Sequence, residues 1–139
     1  MFKKLLLPLD LTNKHQPVVN AAVELAQKHG ATVTLLHVIE VIPGVSRDEE
    51  KSFFDRLEQS AAKHLRQGAD DLSRHGIPCQ QRLLYGHRVS EIIRYATEIS
   101  ADLIVLTAPR LDPDNPTIGW GSLSFRVSFL SRCSVLLVK

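Results

Sequence analysis

Cysteine is scarce in this chain. Only Cys79 and Cys133 occur, and they share no metal-binding or redox spacing. The fold is therefore expected to rest on its own core, with both thiols reduced. Long apolar runs are also missing. No stretch approaches the ~20 residues that cross a bilayer, so no membrane partner is expected. The opening MFKKLLLPLD has the charged and apolar start of a secretion signal, but Pro8 and Asp10 cut it short. No small-residue cleavage site follows. A first β-strand is the better reading, and a cytoplasmic location goes with it. Charge of either sign is nearly balanced, 17 basic residues against 15 acidic ones, for a net charge of +2. That is too weak to point to nucleic acid. Internal repeats, low-complexity tracts and linkers are absent as well.

What the chain does have is an ordinary globular composition. Over 139 residues, 44% are hydrophobic and 23% charged, which suits a single domain, 1–139, with a real core. The apolar pattern alternates between two kinds of segment. Lys4 to Leu9 is a continuous apolar run, as in a strand buried on both faces. Pro17 then opens a helix in which Val19, Ala22, Val23 and Ala26 share a face, and Lys28-His29-Gly30 ends it. Thr32 to Val38 reads as a second strand. Ser46 with Glu49 predicts a capping box for a long helix lined by Phe54, Leu57, Ala61, Leu65, Ala69 and Leu72. Cys79 to Tyr85 is a third strand, closed by Gly86. Val89, Ile92, Ile93 and Ala96 mark a third helix, and Asp102 to Thr107 a fourth strand.

Residues 108–120 read as loop. Beyond them Leu123, Val127 and Leu130 fit helical spacing, although Leu123, Phe125, Val127 and Phe129 also alternate as a strand would. A crossover is needed before the last strand, Ser134 to Val138, so a helix from about Gly121 is expected. The order βαβαβαβαβ implies an α/β fold with an open parallel sheet covered on both faces.

Ligands of such sheets bind beyond the carboxyl ends of the strands. Asp10 ends the first strand there. Its carboxylate can accept from a ribose hydroxyl or a base, or cap the following turn. Gly119-Trp120-Gly121-Ser122 opens the last helix. Free N–H groups and bare glycines would admit a phosphate, and a turn with a Ser N-cap would read the same. Ser124 is expected in solvent. In the loop, Arg110 could meet a phosphate, whereas Asp112 and Asp114 would repel one unless a divalent cation bridges them. At 13 residues the loop is long enough to suggest function. Trp120 reads as a packing residue or a pocket wall.

None of the six histidines has metal-ligand spacing. His29 and His75 look like helix C-terminal charges, His37 like a hydrogen-bonded core residue, His87 like an exposed helix start. Asp10, His37 and Ser122 lack a nucleophile-elbow pattern, so no hydrolytic triad is drawn from them. The first loop, LTNKHQP, has no phosphate-binding glycine, which sets flavodoxins aside. Response-regulator receivers need paired acids at Asp10, a phospho-acceptor where Tyr85-Gly86 stands, and a late lysine other than Lys139.

Four segments together resemble the universal stress protein family, across the whole chain. They are KKLLLPLDLT, VTLLHVIE, YGHRVSEIIRYATEISADLIVLT and GSLSFRVSFLSRCSVLLVK. The resemblance implies a five-stranded parallel sheet in the order 3-2-1-4-5 with two helices on each face. It also implies homodimers, a cytoplasmic stress role and, in many members, bound ATP. By that match Leu9, Asp10 and Val38 fall at base or ribose positions. Leu106 and Thr107 fall beside the ribose and first phosphate, and Gly121, Ser122 and Leu123 at the phosphate-binding helix start.

One motif departs from the family pattern. ATP-binding members carry Gly-x-x-Gly, a spacer, then Gly-Ser or Gly-Thr. Here Thr107 and Arg110 stand at the first two glycines, and ten residues separate Arg110 from Gly121, one more than the family spacing. Two functions follow. One is an ATP-binding stress or signalling protein, with Mg2+ where ATP binds and at most slow hydrolysis. The other is a dimeric interaction module that has lost the nucleotide and serves an unidentified protein partner. In either, the apolar edge strand Ser134–Val138 is expected to pair with its copy.

Overall fold

A computed structural model gives the fold and describes residues 1–12, 15–41, 43–46, 48–109, 112–115 and 122–139. Five strands alternate with four helices: β1 (Lys4–Pro8), α1 (Gln16–His29), β2 (Thr32–Glu40), α2 (Lys51–Arg74), β3 (Cys79–Gly86), α3 (Arg88–Glu98), β4 (Leu103–Thr107), α4 (Leu123–Leu130) and β5 (Ser134–Val138). The strands form one sheet in the order β3-β2-β1-β4-β5, and every pairing is parallel.

The central position of β1 explains its unbroken apolar run. Leu5 and Leu7 turn to one face, where Val18, Ala22 and Ala26 of α1 and Leu65 and Leu72 of α2 cover them. Leu6 turns to the other, against Ile92 and Ala96 of α3 and Val127 of α4. Fully burying each such leucine is worth roughly 1.5–3 kcal/mol. The Asp102 carboxylate accepts hydrogen bonds from the main-chain N–H groups of Lys3 (2.8 Å) and Lys4 (3.2 Å). It thereby ties the start of β1 to the start of β4.

Three local expectations are corrected. Ser46 does not cap α2. Its Oγ accepts from Asp48 N at 3.2 Å and its carbonyl from Glu50 N at 3.0 Å, so the residues make a separate turn and α2 begins at Lys51. Ser124 is buried, not solvated, because it shares the inner face of α4 with Val127. Leu130, expected on that face, is exposed together with Phe129.

Candidate functional site

Because all five strands run one way, their carboxyl ends share one edge, and a cavity of about 260 Å³ opens there. That is slightly below the ~300 Å³ at which small-molecule clefts usually begin. Its floor is the end of β1. Beyond Pro8 the ladder continues for one bond, from Leu9 N to Leu36 O at 2.8 Å. The next ladder bond would run from Val38 N to Leu9 O. The His37 Nδ1–H donates to Leu9 O instead, at 2.7 Å, and β1 stops. Main-chain direction alternates along a strand, so the Val38 N–H and C=O turn towards the space beyond β1.

His37 is buried, and that burial pushes its pKa below the ordinary 6.5, against the pull of the Leu9 carbonyl; nearby Arg88 pushes the same way. A neutral imidazole with its proton on Nδ1 fits both facts. The expectation of a hydrogen-bonded core histidine holds, and the residue also lines the cavity.

Asp10 stands at the rim. Its Oδ1 accepts from Thr12 N at 3.0 Å and Thr12 Oγ1 at 2.5 Å, so the turn-capping reading is realised. Oδ2 makes no hydrogen bond among the described residues, and the residue is exposed. Leu106 is buried, whereas Thr107 at the end of β4 is exposed. Across the cavity Ser122 caps α4, its Oγ accepting from Phe125 N at 3.2 Å.

Seven of the eight residues singled out from sequence line this one cavity: Leu9, Asp10, Val38, Leu106, Thr107, Ser122 and Leu123. Gly121 lies outside the described residues, as do Arg110, Gly119 and Trp120. Asp112 and Asp114 do not line the cavity. Asp112 Oδ1 accepts from Asp114 N at 2.9 Å, which engages one of its oxygens within its own turn. Among the described residues no group of three or more His, Cys, Asp or Glu could hold a metal ion.

The sequence did not reveal Arg88, His15 or Ser124 as lining residues. For Arg88 the signal was present: it stands two residues past the glycine that ends β3, at the edge where ligands of such sheets bind. The geometry is that of a half-open cleft with a main-chain donor and acceptor at its floor, a carboxylate at its rim and a helix start opposite.

The model of the universal stress protein family matches residues 1–139. The chain belongs to that family. A universal stress protein of Thermus aquaticus is 30% identical over 140 residues, covering all of both chains. UspA from Lactobacillus plantarum superposes with a TM-score of 0.81 at 24% identity, covering 99% of this chain and 98% of that one. A universal stress protein from Archaeoglobus fulgidus in complex with dAMP has a TM-score of 0.73 at 20% identity, with full coverage of both. At these identities the two structures show the shared fold. The strand order and parallel sheet that the family resemblance implied are thus present in this family member.

Proposed function

We propose that the cavity binds an adenine nucleotide, ATP foremost, in a cytoplasmic stress or signalling role. The feature that carries this reading is the Val38 main chain beside Asp10, which by register turns to the β1 side and makes no hydrogen bond to β1 among the described residues. An N–H and a C=O pointing the same way match the ring nitrogen and exocyclic amine of adenine, while guanine would present the wrong pattern. Asp10 Oδ2 would accept from a ribose hydroxyl at the rim. The start of α4 offers N–H groups to a phosphate. The dAMP bound by the Archaeoglobus relative is chemically of this class.

The test is isothermal titration with ATP, with and without Mg2+, together with mass spectrometry of any ligand that co-purifies. ATP should bind, more weakly than in relatives with the full glycine motif and better with Mg2+, which screens the charge of the triphosphate. Gly121→Val should abolish binding by filling the phosphate space. Tight binding indifferent to that change would refute the phosphate placement.

A second reading has its own support. Thr107 occupies a glycine position of the phosphate motif, and the loop beyond it is acidic. Absence of both binding heat and co-purified nucleotide would favour an interaction module acting on a protein partner. In either case we propose a homodimer formed through β5.

A further inference from the structure

Three imidazoles gather on one side of the cleft. On β2, Val33 and Leu35 turn towards α1 and α2, and His37 continues that row. His15 and His37 are buried and line the cavity. His64 of α2 is partly buried and meets His15 edge to face, with ring centroids 6.0 Å apart. Each ring spends Nδ1 on a main-chain carbonyl: His15 on Thr12 O at 2.9 Å, His37 on Leu9 O at 2.7 Å and His64 on Ser60 O at 2.9 Å. A carbonyl only accepts, so each Nδ1 carries the hydrogen and each neutral ring keeps its lone pair on Nε2. No hydrogen bond to any of these Nε2 atoms forms among the described residues. A proton can therefore add at Nε2 without breaking a bond that holds the ring, and its effect falls on charge rather than on fold.

The charges around the cluster nearly cancel. Among the described residues that line the cavity, Asp10 brings a negative charge and Arg88 a positive one. Glu40 stands behind Arg88, outside the lining, accepting from its N at 3.0 Å and lying 3.8 Å from its Nε. The first turn of α1 carries no acid. On α2 the residues one turn from His64 are Ser60, Ala61, Gln67 and Gly68, none charged, while Lys63 and Arg66 are exposed. Lys14 lies outside the described residues. Burial, reinforced by Arg88 and His64, lowers the proton affinity of His37, which leaves His15 and His64. A proton on either ring opposes a second on the other, so the pair takes one. That proton turns a neutral lining net positive. We propose that the His15–His64 pair couples proton uptake to ligand binding: an anionic nucleotide binds more tightly as pH falls, and its binding draws a proton onto the pair. This rests on the nucleotide reading above and gives that site its regulation. The coupling acts through the field of the charge, without contact between imidazole and phosphate, and it is reciprocal.

The experiment is calorimetric titration with ATP and with adenosine at pH about 6 and about 8, the window in which histidine changes charge. It compares the wild type with the double variant His15→Gln, His64→Gln, whose amides can still donate to Thr12 O and Ser60 O. Circular dichroism checks that the variant folds. ATP takes up its own proton in this window, equally for both proteins, so the quantity read is the ratio of ATP affinities at the two pH values in each protein. That ratio should favour low pH about three- to tenfold more in the wild type than in the variant. Adenosine, uncharged, should show no such difference. The wild type alone supplies a second readout: in NMR titrations of the imidazole signals, saturating ATP should move the protonation midpoint of His15 or His64 upwards. Equal ratios in the two proteins, with midpoints that ATP leaves in place, would overturn the inference while leaving nucleotide binding intact. Binding of neither ATP nor adenosine at either pH would refute the nucleotide reading and the inference with it.

Discussion

Burial holds the His37 imidazole below its ordinary pKa of 6.5, and this gives the residue a defined effect on stability. The folded chain resists protonating His37, whereas the unfolded chain takes up the proton near 6.5. Stability from this group is therefore complete above about 6.5 and is lost as pH falls below it towards the lower folded value. Arg88, Asp10 and His64 all act on the ring; Asp10 opposes the shift and the other two reinforce it. His37→Asn keeps a donor for Leu9 O without a titrating ring. In urea unfolding at pH about 7.5 and about 5.5, the loss of stability on acidification should be smaller in the variant than in the wild type. Equal losses would remove His37 as its source. At this scale the sequence was partly legible. Histidine on an apolar strand announces a buried, bonded ring, but which carbonyl it meets depends on where β1 stops, and no local pattern encodes that.

Gly86 decides how β3 hands over to α3. Its φ is +147°, and a Cβ there would lie 2.7 Å from Glu91 Cγ. Alanine at this position would meet both an unfavourable backbone region and a neighbouring side chain. Gly86→Ala should cost more than about 1 kcal/mol in urea unfolding. By shifting the first turn of α3 it should also displace Arg88 from Glu40. A neutral substitution would show that Glu91 swings aside and the turn tolerates strain. The elements themselves were readable because each has a clear period: β1 is apolar throughout, and α2 repeats its apolar residues at helical spacing. The ends were less so. Ser46 and Glu49 have the right spacing for a cap, yet the serine oxygen is taken by Asp48 N. In α4 only eight residues carry the period, too few to separate Leu130 from the inner face, or Ser124 from the outer one, by pattern alone.

The two edges of the sheet differ in a way that bears on assembly. The β3 edge shows Gln80, Gln81 and Arg82 to solvent, polar groups that discourage pairing. The β5 edge exposes Leu136 at 38% and Leu137 at 37%, with no charge until Lys139. Two-fold pairing of β5 with its copy would bury that edge, as an isologous interface requires. Wild-type protein at micromolar concentration should scatter light as a dimer, and Leu136→Lys should shift it towards monomer. A monomeric wild type would refute the β5 interface. The layering and strand order were legible from the whole-chain alternation and the family resemblance. The cleft was legible only from the strands inward. The position of Arg88, two residues past Gly86, was in the sequence, but its partner Glu40 comes from 48 residues away and no local pattern pairs them.

The tie between β1 and β4 also bears on how the protein is made. Asp102 follows Lys4 by 98 residues, so on the ribosome β1 emerges long before the strand that covers its far side. Until then the nascent chain can pair β1 with β2 alone, and Leu5, Leu6 and Leu7 border an open edge in what will become the middle of the sheet. A chain stalled short of residue 102 would present that edge as a template for misassembly. Synthesis that pauses in this interval is when the protein would most need a chaperone.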